Sequence, residues 1–295
     1  MRPSLHALAE EGVLAEELGP HAGYFLQGAN LLEKGRSAWQ DYEVWDTPAF
    51  GCIFRLDGCF MTSERDEFYY HENLIQVPAS AHEGIRTALI IGGGDGGSAE
   101  ELLKQPTIER IVLAELDEKV VEISRRYLHA VHRGALDDPR VDIRIGDGMK
   151  YVNEDGPARG DQYDLIVLDL TDPIGPAEAL YAESFFRACR SLLAPGGALS
   201  LHIGSAIFNP EQVKMLVARL RSVFRCVRPY FLNIPLYGGL WGLATASDSL
   251  DPLRLSAAEI DQRLAARGIA HLQYYNGDIH HAQFVLPNNL RQLLA

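Results

Sequence analysis

From about Thr87 onward, short apolar runs alternate with amphipathic stretches. Ala88-Leu89-Ile90-Ile91 has the unbroken apolar character of a strand buried on both faces. Runs at 110–114, 141–145, 163–168 and 198–202 repeat it. Helical spacing fills the gaps at 98–105, 118–127, 182–193 and 210–224, and Gly196-Gly197 marks a stop and turn. Strand and helix alternating in this order imply an α/β architecture with a doubly wound parallel sheet. Two more strands are predicted at 226–231 and 241–246, then a helix over 256–267 and a tail expected to add a final strand. Upstream the pattern differs. Residues 37–78 read as short strands, with Trp39-Gln40-Asp41-Tyr42-Glu43-Val44-Trp45 rich in aromatic and β-branched residues. Asp57-Gly58 between two apolar runs signals a hairpin, and a small antiparallel sheet is expected to end near Pro78. Residues 1–36 show no clear period. The chain therefore divides into an N-terminal segment and small β-domain (1–80) and a larger α/β domain (81–295).

The 295 residues can bury a substantial core. Lysine and arginine total 27 against 40 aspartate and glutamate, a net charge of −13. That balance argues against nucleic acid as a partner, because binding a polyanion needs a basic surface, and it suits a cationic ligand. Cys52, Cys59, Cys189 and Cys226 form no C-x-x-C pair and read as free thiols of a reducing compartment. The N-terminus lacks the apolar core of a signal peptide, and no apolar run approaches a membrane span of roughly 18 residues. A cytoplasmic protein with no membrane partner is the expectation.

Ligands in doubly wound sheets bind beyond the carboxyl ends of the strands. The first strand of the large sheet ends in Gly92-Gly93-Gly94-Asp95-Gly96-Gly97. Such glycines let backbone amides approach a dinucleotide, a phosphate or an S-adenosyl compound. Asp95 narrows the choice, because a carboxylate here repels phosphate. It also opposes the carboxylate of intact S-adenosylmethionine, at about 1 to 4 kcal/mol for like charges about 4 Å apart. The decarboxylated molecule, a cationic aminopropyl sulfonium, matches it. Asp95 could alternatively cap the following helix. Strand 2 ends in Glu115-Leu116-Asp117, where Glu115 is placed to accept from ribose hydroxyls and Asp117 to cap a helix. Gly146-Asp147-Gly148 follows strand 3; Asp147 can accept from an adenine amino group, or serve as plain turn chemistry. Three acids at three successive strand ends describe an adenosine pocket.

Strand 4 runs into Asp169-Leu170-Thr171-Asp172-Pro173, two carboxylates at the same sheet edge. Asp172 before Pro173 could simply organise a turn. In the functional reading both act on an amine. A diamine arrives protonated and must lose one proton before a nitrogen can attack carbon. Asp169 is the candidate base, and Asp172 would hold a cationic amine in line. The leaving group is a neutral thioether, so positioning does most of the rest, and no metal is expected. His280-His281 is read as structural, since neighbours on a strand point to opposite faces.

These segments resemble the spermidine synthases: Gly92 to Gly97, Glu115, Asp147, and Asp169 to Pro173 followed by Gly175-Pro176-Ala177. So do Arg65-Asp66-Glu67-Phe68-Tyr69-Tyr70-His71-Glu72, Ile234-Pro235-Leu236-Tyr237-Gly238-Gly239 and Tyr274-Tyr275-Asn276. The similarity extends from about Trp39 to Pro287. It implies a small N-terminal β-domain, a Rossmann-like methyltransferase-type domain, a mobile loop at 169–173 and usually a homo-oligomer, such as a homodimer. It further implies aminopropyl transfer from decarboxylated S-adenosylmethionine, a co-substrate rather than a cofactor, to putrescine. On the resemblance, Gln40 and Tyr70 stand beside the donor tail and the acceptor, and Gly92, Gly94 and Gly148 belong to the donor pocket. His71 stands where the family often has glutamine or histidine, and Tyr237 lines the acceptor channel. Two departures concern the acceptor: Leu170-Thr171 replaces a common Ser-Ser, and His202-Ile203-Gly204-Ser205 replaces a run with glutamine and glutamate. With that glutamate missing, Glu72 is a candidate partner for the acceptor's far nitrogen, with Trp241 as a further lining residue. Alternatives are a longer acceptor (spermidine, giving thermospermine or spermine), a methyltransferase using intact S-adenosylmethionine, and a non-catalytic polyamine or nucleoside sensor.

Overall fold

The computed structural model describes residues 12–19, 21–173 and 175–295. Three sheets are present among them. The stretch without sequence period, as far as it is described, is extended: β1 (Val13–Gly19) and β2 (Ala22–Gln27) form a two-stranded antiparallel ribbon. β3 (Asn30–Arg36), β4 (Asp41–Thr47), β5 (Gly51–Leu56) and β6 (Cys59–Ser63) form an antiparallel sheet in sequence order. The predicted hairpin joins β5 to β6, with Asp57 at φ 48° and Gly58 at φ 83°, the left-handed pair that a tight two-residue turn requires.

The large sheet has the order β12-β13-β11-β10-β7-β8-β9. β7 (Thr87–Gly92), β8 (Arg110–Glu115), β9 (Val141–Ile145), β10 (Tyr163–Asp169) and β11 (Leu193–Gly204) are parallel. β12 (Cys226–Ile234) and β13 (Gly239–Ser247) pair antiparallel, so the sheet is mixed rather than wholly parallel. A short connection joins β12 to β13, which suits an antiparallel pair and leaves no room for a crossover helix. Along β7 the side chains alternate between two cores. Ala88 and Ile90 pack with Leu74, Leu113 and Val167, while Leu89 and Ile91 pack with Ile166, Leu168 and Phe185. Both faces are covered, which is why the strands read as unbroken apolar runs. β8 and β9 lie on one side of β7, and β10 and β11 on the other, so the strand order switches between β7 and β10.

Two expectations are corrected here. The antiparallel sheet does not run to Pro78: Glu67–Ala81 is a helix, α1, that includes Pro78. It is buried on nearly every side, so its polar residues trace no solvent face and its spacing is unreadable as a helix. Its partners come from far along the chain. Ser200 Oγ donates to the Leu74 carbonyl and Tyr230 Oη to that of Asn73. Arg263 and Arg267, on and just beyond the helix Ala257–Ala266, donate to carbonyls between Ala79 and Glu83. The tail is likewise helical, in Gly277–Ala282 and Asn288–Leu294, the first capped by the Asn276 side chain. His280 and His281 therefore sit on a helix, with Nε2 atoms against the carbonyls of Pro252 and Leu255.

Glu72 is a third correction. It is buried, and its two carboxylate oxygens accept from the backbone amides of Gln273, Tyr274 and Tyr275. It anchors the tail and cannot also receive an acceptor's far nitrogen. Glu72→Ala removes the acceptor of three amides, of which only that of Tyr275 belongs to a buried residue, and is expected to cost about 2 to 4 kcal/mol, on a scale of about 1 to 3 for a fully buried group left unpaired and less for the other two. Chemical denaturation reads this directly; a loss below about 1 kcal/mol would mean that water replaces the carboxylate.

Candidate active site

β7 and β10 end side by side, and their loops interlock. Gly93 N donates to the Asp169 carbonyl at 2.9 Å. Gly92 has φ +80°, and a Cβ there would stand 2.2 Å from the same carbonyl oxygen, so only glycine lets the two strand ends meet. Asp169 is thereby fixed at the switch point of the sheet, where such folds bind their ligands. Its Oδ2 accepts from Ser98 Oγ at 2.7 Å.

α1 delivers His71 to this junction. Its Nδ1 lies 2.9 Å from Glu67, and its Nε2 lies 3.5 Å from Asp95 and 4.0 Å from Asp169. Burial disfavours a charged imidazole, but Asp95, Glu67 and Asp169 together outweigh it and hold the ring protonated well above its ordinary range. Asp95 answers in kind. Burial would raise it, yet His71 and the Gly97 amide bring it below the usual carboxylate value. Asp169 moves the other way: burial and the neighbouring Asp95 charge raise it, only partly offset by His71, Ser98 and Tyr70. The two acids at one imidazolium are therefore inequivalent, Asp95 a fixed anion and Asp169 the readier proton acceptor. His71, Asp95 and Asp169 also have the spacing of a metal centre. A metal ion there would have to displace the proton of His71.

The other expected residues fall along the same edge. Glu115 is buried, its carboxylate accepting from Gly94 N and Asp117 N, and burial pushes it up to about 7. A Cβ on Gly94 would come within 2.9 Å of Glu115, and one on Gly148 within 2.6 Å of Ile91. Asp117 caps the helix Glu118–Tyr127, as expected. It also accepts from Ser37 Oγ at 2.6 Å and Gln40 Nε2 at 3.0 Å, which brings Gln40 from the small sheet to the end of β8. Asp147 is exposed and caps the following turn through the Met149 amide.

Beside Asp169 the walls become aromatic. Tyr70 meets Tyr237 edge-on at 5.9 Å, Tyr237 packs on Trp241 at 4.9 Å, and Trp241 stacks on His202 at 6.0 Å. The Tyr237 hydroxyl is held by the Met61 carbonyl at 2.7 Å. Asp172 enters near His202, with 4.0 Å between Oδ1 and Nδ1. Aromatic rings set beside carboxylates in this way would form a slot suited to a flexible organic cation. Ile174, in the same loop, lies outside the described residues.

Glu16 escaped the sequence reading. It lies half-buried on β1, accepts from Phe60 N at 2.5 Å, and is pushed up to about 7 by burial, with Arg55 opposing and Asp172 adding. Its signal was an acid two residues from the buried Leu14, on the inward face of a strand.

The described residues include no helix long and apolar enough to cross a membrane. Residues 67–253 match the family described as the spermine/spermidine synthase domain. The chain is 50% identical over 293 residues to a polyamine aminopropyltransferase of Nitrosomonas europaea, covering 99% of this chain and 89% of that one. It is 39% identical over 271 residues to one from a Thermoanaerobacter species, covering 92% and 94%. Among solved structures, a spermidine synthase in complex with the transition-state analogue AdoDATO superposes with TM-score 0.87 at 34% identity, covering 96% and 94%. Spermidine synthase from Thermotoga maritima gives 0.84 at 33%, covering 96% and 93%.

Proposed function

Because the chain belongs to the spermine/spermidine synthase family and is a polyamine aminopropyltransferase, we propose that it moves the aminopropyl group of decarboxylated S-adenosylmethionine onto putrescine, giving spermidine and methylthioadenosine. The observation that carries this reading is the convergence of Asp95 and Asp169 on the His71 imidazolium, one acid held ionised and the other raised. Asp95 receives the donor's ammonium. Glu115 and Asp147 take the ribose and adenine, over a floor kept low by Gly92, Gly94 and Gly148, with Gln40 at the edge. The acceptor lies along the rings of Tyr70 and Tyr237, held in line by Asp172.

In the reaction the attacking nitrogen gives its proton to Asp169. Its freed lone pair then forms a bond to the methylene carbon next to sulfur, the carbon–sulfur bond breaks, and its electron pair stays on sulfur as a neutral thioether. Donor activation is built into the sulfonium, so the reading includes neither cofactor nor metal, and alignment supplies most of the rate. His71 contributes position and charge, keeping Asp95 ionised until the donor's cation arrives. Four free thiols, of which only Cys52 and Cys189 are buried, support a cytoplasmic setting, and a homo-oligomer, a homodimer in its simplest form, is the proposed assembly.

Putrescine is favoured over spermidine because His202 and Ile203 supply no acidic group for a further amine. A methylene more or less shifts binding by only about 1 to 3 kcal/mol, so cadaverine should be weaker by roughly 10- to 100-fold rather than excluded. The test is kcat/KM for putrescine, cadaverine and spermidine at saturating donor, with products identified by mass spectrometry. A preference for spermidine would reassign the chain to a longer-acceptor class.

A further inference from the structure

Three buried polar atoms grouped around Gly204 have no hydrogen-bond partner among the described residues: Asp172 Oδ1, His202 Nδ1 and Gln212 Nε2. They come from three different elements, the loop after β10, β11 and the helix Pro210–Val223. Buried polar groups are nearly always satisfied, so several orphans converging on one place mark the position of an absent polar ligand. Gly204 explains how they meet. It ends β11 at φ +86°, beside a slip in register against β13. A Cβ there would stand 2.8 Å from Gln212 Nε2 and 3.9 Å from Asp172 Oδ1. The missing side chain is thus a window between the Gln212 amide and Asp172.

The hydrogen-bond pattern gives the sign of the missing group. His202 Nε2 faces two oxygens, the Leu170 carbonyl at 2.9 Å and the Tyr181 hydroxyl at 2.6 Å. That hydroxyl spends its own hydrogen on the Thr171 carbonyl at 3.0 Å and the Leu170 carbonyl can only accept, so Nε2 carries the hydrogen. Nδ1 then presents a lone pair toward Asp172 Oδ1, another acceptor, at 4.0 Å. Two acceptors facing each other across a gap call for a donor between them. The Gln212 amide can present its oxygen instead of its nitrogen by a half-turn that leaves its shape unchanged. Three acceptors would then match the three N–H bonds of a primary ammonium.

We propose that Gln212 is a specificity-determining residue of the acceptor site, its side-chain amide closing the slot at Gly204 and receiving the acceptor's distal ammonium together with Asp172 and His202. This rests on the reading of the acceptor as a short diamine. The amide stands in the path of any longer chain, so it both binds the end of the diamine and obstructs the additional arm of spermidine.

The experiment compares wild type with Gln212→Ala and Gln212→Glu, using putrescine and spermidine as acceptors and n-butylamine, which has no distal nitrogen, as a competitive inhibitor against putrescine. Gln212→Ala is expected to lower kcat/KM for putrescine by about tenfold, the scale of one hydrogen bond to a charged group, mainly through KM. The n-butylamine inhibition constant should stay unchanged, and the spermidine-to-putrescine ratio should rise. Gln212→Glu, which keeps the shape and adds a negative charge, should lower KM for putrescine. An unchanged putrescine KM in both variants, or an equal loss for putrescine and n-butylamine, would overturn the role of Gln212. Should the alanine variant fail to fold, as judged by lost donor binding, the glutamate variant decides alone. A wild type that prefers spermidine contradicts the acceptor reading instead, an outcome visible before any variant is made.

Discussion

Asp169→Asn is expected to lower turnover by about 100-fold or more, the scale of a lost general base, while the fold and donor binding persist. Asparagine keeps the volume and can still accept from Ser98 Oγ, so the link between Asp169 and the helix Gly97–Leu103 survives. The Gly93 amide is bound to the backbone carbonyl of residue 169, which the substitution does not touch. What is lost is the ability to take a proton. The pH profile offers a second readout. Burial and Asp95 raise Asp169, so its protonated, inactive form persists above the usual carboxylate range. Activity in the wild type should therefore climb with pH through that raised value, and the variant should lose this limb. Near-normal single-turnover rates in a folded Asp169→Asn protein would remove the residue from the chemistry.

Asp95→Asn should narrow the preference for decarboxylated over intact S-adenosylmethionine by about tenfold or more, consistent with about 1 to 4 kcal/mol between like charges about 4 Å apart. The side chain is placed by its own bond to the Gly97 amide at 3.0 Å, which asparagine can reproduce through its oxygen. That bond ties Asp95 to the first amide of the helix Gly97–Leu103, whose N-cap is Gly96. The variant isolates charge from geometry. His71 would lose its strongest electrostatic support and give up its proton more readily, since Asp95 heads the interactions that oppose its burial. Titration calorimetry with both donors measures the effect. Equal affinities in the wild type would contradict the assigned role of Asp95.

The parallel strands and most of the helices of the large domain were legible because burial on both faces leaves a periodic trace. Glu118–Tyr127 shows this well: its apolar stripe and its Asp117 cap are visible in the residues themselves. The helix Glu67–Ala81 was not legible, because complete burial erases the contrast between faces, and its Pro78 is read locally as a stop. The tail misled for a related reason, since its short helices are held by capping and by distant carbonyls rather than by an apolar stripe. Asp95, Glu115, Asp147, Asp169 and Asp172 lie at or just beyond strand ends, where their places in the sequence put them. Gln212 gave no such signal, since it lies on a helix and not at a strand end, and the signal of Glu16 falls in the stretch without clear period. Glu72 shows the converse error: an acid of the right charge next to His71 is turned toward the tail.

The burial of α1 has a bearing on how the chain assembles. His71 and Tyr70 ride on this early helix, yet its bonds to Ser200, Tyr230 and Arg267 span 126, 157 and 188 residues. Contacts of such separation carry a large loop-closure entropy and form late. During synthesis from the N-terminus, α1 emerges long before Arg263 and Arg267, which take up its last carbonyls. The catalytic floor is therefore finished by the end of the chain, and a nascent protein lacking its last helices holds every acid of the donor pocket without a settled place for His71.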